Sequence, residues 1–309
     1  MISIVIPVFN EQASLEPLYR ETSTVMEPLN VDWEIVFVDD GSSDGSTAVI
    51  SALAAADPRV HYVILRRNFG KSAALQVGFK KARGDVIITM DADLQDDPVE
   101  IPRFIKKLEG GCDLVSGWKV DRQDPREKTV SSRIFNAVVS KLSGLRLKDY
   151  NCGFKCYRRQ VIDEIRLYGE LHRFIPFLAH KKGFHIREIP VHHRKRQFGT
   201  SKFGLERYAR GFFDLLTVLF ITTYLNRPMH LFGWIGALFF CSGAALFSYL
   251  FFGRWLLGQS IGTSPLFSIS IFLIGTGIQT FIIGTVAELI VYNRERQQLD
   301  SYSIREEDR

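Results

Sequence analysis

Over the first 120 positions, apolar residues gather into five short runs, each followed by a polar loop and then a stretch with helical spacing. The runs are Ile2–Val8, Glu34–Val38, Val60–Leu65, Val86–Met90 and Asp113–Ser116. Near-continuous apolar runs rich in β-branched residues read as strands buried on both faces. Between them, Leu15–Leu29, Ser46–Ala56, Ser72–Ala82 and Val99–Leu108 carry helical patterns. The alternation predicts an α/β domain with a mainly parallel sheet and helices on both faces.

Farther along, the pattern changes. No Asp, Glu, Lys or Arg occurs from Met229 to Phe252, nor from Pro265 to Ala287. A membrane span needs about 20 predominantly apolar residues, so both runs are expected to be transmembrane helices, at 229–252 and 265–290. The stretch 203–225 places Leu205, Tyr208, Phe212, Leu215, Leu216 and Leu219 on a helical period among polar residues. That predicts helices lying in the membrane interface. Gly236, Ser242, Gly243, Gly275, Gly277 and Gly284 let membrane helices approach closely, from which contacts between copies and a homo-oligomer are expected. The expected organisation is an α/β domain over 1–200, juxtamembrane helices over 201–228, a two-helix hairpin over 229–292 and a tail over 293–309.

Charge orients this arrangement. Lys202, Arg207, Arg210 and Arg227 precede the first span, Arg294 and Arg296 follow the second, and the linker Gly253–Ser264 carries only Arg254. The positive-inside rule then places both termini in the cytoplasm and the protein in the inner membrane. The segment Met1–Pro7 lacks the basic region of a signal peptide and enters a strand at once. Four cysteines without paired-ligand spacing suit a reducing compartment. A net charge of +5 and a pI of about 9.0 suit an anionic lipid surface or phosphorylated ligands. No nucleic-acid recognition motif, zinc spacing or nucleophile elbow occurs. His172, His185 and His230 read as packing, strand-surface and interfacial residues.

The loops after the strands hold the candidate chemistry. They carry Pro7, Phe9, Asn10 and Glu11; then Asp39–Gly45; then Arg66–Lys71; then Asp91-Ala92-Asp93. All belong to one edge of one sheet, where open α/β sheets bind ligands. Asp91 and Asp93, one residue apart, can project to the same side and would raise each other's pKa. A divalent cation removes that conflict, and Gln95 offers a further oxygen. Asp96 and Asp97 add negative field. A solvated acidic turn is the plainer reading, but the position directly after a buried strand favours a metal–phosphate site. Gly70-Lys71-Ser72 ends like a P-loop, yet Leu65 stands where the first glycine is required, so Lys71 reads as a helix-entry residue within reach of a phosphate.

Together, Ile4–Glu11, Val38–Asp44, Asp91–Gln95, Asp149-Tyr150-Asn151-Cys152-Gly153-Phe154-Lys155 and Arg196-Gln197-Phe198-Gly199-Thr200-Ser201-Lys202 resemble the family 2 glycosyltransferases of the polyprenyl-phosphate type, relatives of dolichol-phosphate mannose synthase. The chain looks most like the bacterial bactoprenyl-phosphate glucosyltransferases with two C-terminal spans. The resemblance implies a GT-A, Rossmann-like domain that moves a hexose, expected to be glucose from UDP-glucose, onto polyprenyl phosphate with inversion. It implies that Pro7, Phe9, Glu11 and Asp40 hold the nucleoside and that Asp91 and Ala92 border the nucleotide. Asp93 and Gln95, with Asp91 beside them, would bind Mg²⁺ or Mn²⁺, and Arg196 and Lys202 would close over the phosphates with Lys71. Lys119, Arg122 and Arg133 are the basic residues expected at the acceptor phosphate. Asp149 is expected to orient the acceptor rather than act as a base, because a phosphate monoester with a second pKa of about 6 is already ionised at neutral pH. The competing readings are a processive polysaccharide synthase, for which Phe251 replaces the glutamine of Gln-x-x-Arg-Trp, and a non-catalytic membrane scaffold or lipid translocator.

The topology has a direct test. A cysteine introduced as Gly258→Cys is expected to react with a membrane-impermeant maleimide added to the outer face. Ser301→Cys is expected to react only after the cytoplasmic face is opened; the reverse pattern inverts the assignment.

Overall fold

The computed structural model describes residues 1–120, 140, 144–145, 147–167, 169, 171–194, 224, 228–257 and 265–297. The juxtamembrane helices expected over 203–225 lie outside the described residues, apart from Tyr224, as do Arg122, Arg133, Arg196 and Lys202. The chain divides into two compact units, Met1–Leu215 and Leu216–Arg309.

In the first unit the strands are β1 (Ile2–Val8), β2 (Trp33–Asp39), β3 (Val60–Ile64), β4 (Val86–Thr89), β5 (Leu114–Lys119), β6 (Lys155–Arg158) and β7 (Ile186–Val191). The helices are α1 (Gln12–Met26), α2 (Ser46–Ala56), α3 (Lys71–Lys81), α4 (Ile101–Glu109), α5 (Arg159–Glu164) and α6 (Ile175–Lys181). The strands form one seven-stranded sheet in the order β3-β2-β1-β4-β6-β5-β7. Pairs β1–β2, β1–β4, β2–β3 and β5–β7 are parallel, whereas β6 runs antiparallel between β4 and β5. The sheet is therefore mainly parallel, as the alternation predicts.

The core follows from the apolar runs. Ile4, Ile6, Ile35, Phe37 and Ile88 are fully buried, and Leu15, Leu18 and Met26 of α1 cover them. On α4, Ile101, Phe104 and Leu108 recur at helical spacing and are buried, with the Phe104 ring 4.4 Å from that of Phe154. The first helix starts and stops three residues earlier than its apolar pattern indicates. Glu27–Leu29 forms a separate 3₁₀ turn that ends at Asn30 in the left-handed region. Beyond the five runs, β6 follows Gly153 and β7 begins directly after His185, read as a strand-surface residue. Lys-Cys-Tyr-Arg of β6 pairs with β4 and β5 on its two sides.

Strand order also locates the crevice. Neighbouring strands β2 and β4 leave β1 in opposite directions across the sheet, which makes the carboxyl ends of β1 and β4 a topological switch point. There β1 outruns β4, whose pairing stops at Thr89 opposite Val5, so Pro7 lies beyond the paired part of β4. A proline without an N–H is tolerated where that ladder has ended.

The second unit consists of α7 (Pro228–Leu257) and α8 (Pro265–Gln297). Both are long and apolar enough to cross a membrane, over Pro228–Gly253 and Pro265–Val291. Contacts of 236 with 277, 243 with 274 and 284 with 229 make them an antiparallel hairpin. Large apolar side chains face outward, Trp234 at 78% and Phe272 at 72% exposure, as lipid-facing residues do. Glu288 accepts the Met229 N–H at 3.1 Å, satisfying one orphan donor of the first turn of α7.

Gly236, Gly243, Gly277 and Gly284 lie where the two helices of the hairpin meet. A Cβ at Gly236 would lie 2.9 Å from the Gly277 carbonyl, and one at Gly277 would lie 2.6 Å from the Phe240 nitrogen. Only close backbone approach permits this packing. At Gly275 a Cβ meets nothing within 4 Å. Gly277→Leu is therefore expected to destabilise the hairpin by about 1–3 kcal/mol through overpacking, and Gly275→Leu to leave it unchanged. Thermal unfolding of both variants in detergent checks this, and equal melting temperatures would refute it.

Candidate active site

Six loops and the start of β6 meet at the sheet's carboxyl edge. The two loops after β1 and β2 are stitched together. Asn10, in the left-handed region at φ 56°, donates its N–H to Ser42 Oγ at 2.9 Å and accepts the Ser43 N–H on Oδ1 at 2.7 Å. Glu11 donates its N–H to Ser46 Oγ at 3.0 Å, and Asp44 accepts the Gln12 N–H at 3.2 Å. Fully buried Asp39 accepts from the Ser42 N–H at 2.8 Å and from the Thr47 hydroxyl, so it builds the turn. An open cavity of about 640 Å³ adjoins this loop pair. Of Pro7, Phe9, Glu11 and Asp40, its walls include Glu11 alone.

Asp40 is buried, and its carboxylate accepts the N–H groups of Phe69 and Gly70 at 2.7 and 2.9 Å. It thus holds the loop that delivers Lys71 to the first position of α3. Burial raises its pKa against the opposing pull of those two amides. Each oxygen keeps acceptor capacity for a ligand hydroxyl. Gly41, at φ 71°, allows Arg67 to pass: a Cβ there would sit 2.4 Å from the Arg67 carbonyl carbon.

After β4 the burial alternates. Ala92, Leu94 and Asp96 are buried, whereas Asp91, Asp93 and Gln95 are half-buried. The alternation turns the second three residues away from the core as a set, as the spacing implies. Leu94 adopts φ 61° with its side chain 1% exposed. Left-handed backbone at a non-glycine residue costs on the order of 1–3 kcal/mol and clusters at ligand sites. The Asp93 carboxylate accepts the Gln95 N–H at 3.2 Å. The Gln95 amide nitrogen donates to the Arg194 carbonyl at 3.3 Å, which leaves its Oε1 for a ligand.

Asp91 is engaged differently from Asp93. Its carboxylate pairs with the Lys71 ammonium. It also rests on Gly153, where a Cβ would lie 2.7 Å from Oδ1. Burial alone would raise its pKa, but the charge and hydrogen bond of Lys71 outweigh it and hold the carboxyl well below the usual range. Asp96 shows the opposite balance. It is 2% exposed, accepts the Asp91 N–H at 3.1 Å, and is raised to about 6 by burial and then by the Asp91 charge.

Segment 192–194, at the end of β7, docks on this turn. Arg194 donates its N–H to the Gln95 carbonyl at 2.9 Å, and its guanidinium spans Asp97 and Glu21 at 2.8 and 2.6 Å. His193 lies 4.0 Å from Asp96 and 3.3 Å from the Lys119 ammonium. Lys119 thus stands at the end of β5 among acidic neighbours. Burial opposes its charge, but Cys152, Asp96, Asp91 and Asp149 raise its pKa. Asp149 is fully buried and accepts the Asn151 N–H at 3.0 Å. Basic residues of the same stretch also make contacts of their own. Lys148 lies 3.6 Å over the Trp118 ring, Arg158 donates to the carbonyls of Cys112 and Leu108, and Lys155 donates to that of Cys152.

Lys155, His172 and Arg173 line a small notch with Lys71 and Gly153. The sequence hints at Lys155 only through its place in the Asp149–Lys155 motif, and His172, read as a packing residue, is brought here by the turn at Leu171–Phe174. The donor set also suits a hard cation. Among the described residues no three His, Cys, Asp or Glu side chains form a cage. Mg²⁺ characteristically uses one or two carboxylates and completes its shell with water and substrate phosphate. Asp93 with Gln95 Oε1 fits that pattern; Asp91 faces Lys71.

Comparison with known proteins agrees with this geometry. Residues 3–166 match the model of glycosyl transferase family 2. The chain is 36% identical over 294 residues to the dodecaprenyl-phosphate galacturonate synthase of Rhizobium johnstonii, covering 94% of this chain and 87% of that protein. It is 38% identical over 299 residues to the undecaprenyl-phosphate 4-deoxy-4-formamido-L-arabinose transferase of Salmonella typhimurium, covering 96% and 90%. The fold resembles glucosyl-3-phosphoglycerate synthase from Mycobacterium tuberculosis, with a TM-score of 0.56 and 20% identity over 72% of this chain and 78% of that one. The chain belongs to glycosyl transferase family 2, in its polyprenyl-phosphate branch, and carries the GT-A-like fold of that family.

The Asp96 environment makes a pH prediction. Its folded pKa of about 6 lies above the ordinary 3.8, so the fold favours the neutral acid. That contribution is complete below pH ~4 and is lost as pH rises through ~6, a cost on the order of 3 kcal/mol at pH 8. In metal-stripped protein, Asp96→Asn is expected to melt above wild type at pH 8, with the gap closing at pH 4.5. A gap independent of pH would show that Asp96 is not the group responsible.

Proposed function

We propose that the protein transfers a sugar from a nucleoside diphosphate donor to the phosphate of a polyprenyl lipid, at the membrane and with inversion. The observation that carries this reading is the half-buried Asp91–Gln95 turn at the switch point, faced by Lys71, Lys119 and Lys155. Acids and ammoniums on opposite sides of one crevice suit a reaction that must bring two phosphate-bearing substrates together. The relatives named for polyprenyl-phosphate transfer support the acceptor.

The residues divide the work. Asp40 and Glu11, on loops held by Ser42, Ser46 and the Phe69–Gly70 amides, are placed to receive the nucleoside hydroxyls. Asp93 and Gln95 would hold Mg²⁺ or Mn²⁺, which supplies Lewis-acid stabilisation of the leaving diphosphate. Related folds crystallised with Mn²⁺ or Mg²⁺ and UDP favour such an ion. Lys119, with Arg196 and Lys202 beyond the described residues, offsets the charge of the approaching phosphates. An acceptor already ionised at neutral pH needs no base, so buried Asp149 orients the Lys119–Lys155 side of the crevice. The sugar reading moves from glucose toward the types that the relatives' names carry, a galacturonic acid or a 4-amino-4-deoxyarabinose derivative.

Purified protein incubated with undecaprenyl phosphate and a panel of nucleotide sugars should yield one lipid-linked product by mass spectrometry. Activity should vanish with chelator and return with Mg²⁺ or Mn²⁺. Asp93→Asn should lose about 100-fold or more in kcat while keeping its melting temperature. Full turnover in that variant would refute the metal assignment, and no product with any donor would refute the transferase reading.

A further inference from the structure

A small notch lies where β4 ends and β6 begins, lined in part by Lys71, Thr89, Gly153, Lys155, His172 and Arg173. Its volume of about 10 Å³ admits roughly one oxygen-sized group. Lys155 opens β6 opposite Thr89 and is 3% exposed. Its amine donates to the Cys152 carbonyl, and among the described residues no carboxylate comes within ion-pair distance of it. Burial lowers its pKa against the pull of Cys152, Asp149 and Asp91, so an incoming anion would favour its charged form. An ammonium carries three donors, and a buried charge is ordinarily paired.

The neighbouring groups are also donors. The His172 backbone N–H donates to Ser72 Oγ at 3.1 Å, and the Ser72 oxygen lies 2.9 Å from His172 Nδ1, to which it donates in the tautomer protonated at Nε2. Burial, reinforced by the charges of Lys71, Arg173 and Lys155, keeps the imidazole well below its ordinary pKa and hence neutral. In that tautomer Nε2 is a donor on the side of the ring not held by Ser72. Lys71 is paired with Asp91, and the charges of Asp149 and Asp91 both act on Lys155 from outside the notch lining.

We propose that this notch is an oxyanion subsite that receives a phosphate oxygen of a substrate, with Lys155 and His172 as its donors. The source of that oxygen, the lipid phosphate or the nucleoside diphosphate, rests on the transferase reading; the subsite itself does not.

The test uses full-length protein in detergent and Lys155→Met, which keeps an unbranched stem without the charge. Thermal unfolding is followed against inorganic phosphate, with chloride at matched ionic strength as reference. Wild type is expected to gain melting temperature with phosphate. Lys155→Met is expected to start at or above the wild-type value, because an unpaired buried charge is gone, and to lose the phosphate-specific gain. Equal phosphate responses in the two proteins, whether large or nil, overturn the subsite. If Lys155→Met does not fold, His172→Phe is read in the same way. Steady-state kinetics then identify the source: loss of a charge-assisted hydrogen bond should raise one KM about tenfold. A rise for polyprenyl phosphate marks the acceptor, and a rise for the nucleotide sugar marks the donor. Absence of sugar transfer in wild type with an intact phosphate response would remove the transferase reading and leave the subsite standing.

Discussion

The contact on which the site depends is that of Asp91 with Lys71 and Gly153. It joins the end of β4, the start of α3 and the segment entering β6, which are far apart in the chain. Only glycine leaves room at position 153, since any Cβ would collide with the carboxylate. A half-buried ion pair of this kind is worth little as net stability, but breaking it leaves an uncompensated charge. Its main effect is geometric. With Asp91 held by Lys71, the two acids of the Asp-x-Asp turn have different surroundings.

Charge in the crevice is arranged by layer. The acids of the β4 turn are distributed between a cation partner (Asp91), backbone donors (Asp93) and a buried position where the neutral form is favoured (Asp96). Arg194 ties the outer side of the same turn to α1, bridging Asp97 and Glu21, so the turn is braced on that side as well. Such bracing matters for electrostatic catalysis, because groups already fixed in place need no reorganisation when charge moves.

The hairpin illustrates a different economy of side chains. In lipid, apolar contact does not by itself drive helices together, so close backbone packing at Gly236, Gly243 and Gly277 does so. Glu288 beside Met229 adds a cap where the backbone of α7 begins. Large residues such as Trp234 and Phe272 remain for the lipid.

The chain by itself determined what depends on local pattern. Buried strands, the helices between them, the two apolar helices and the position of the acid pair after β4 follow from periodicity and composition, because each is set by neighbours within a few residues. The family was legible for the same reason, its motifs being short and ordered. What tertiary structure decided involves partners distant in sequence. Lys-Cys-Tyr-Arg pairs antiparallel with β4 and β5. Asp91 differs from Asp93 only because Lys71 and Gly153 reach it. His172 enters the site through the Leu171–Phe174 turn and its bond to Ser72, and Gly236 and Gly277 meet across the hairpin. Sheet pairing and side-chain burial bring these groups together, and no spacing along the chain encodes that.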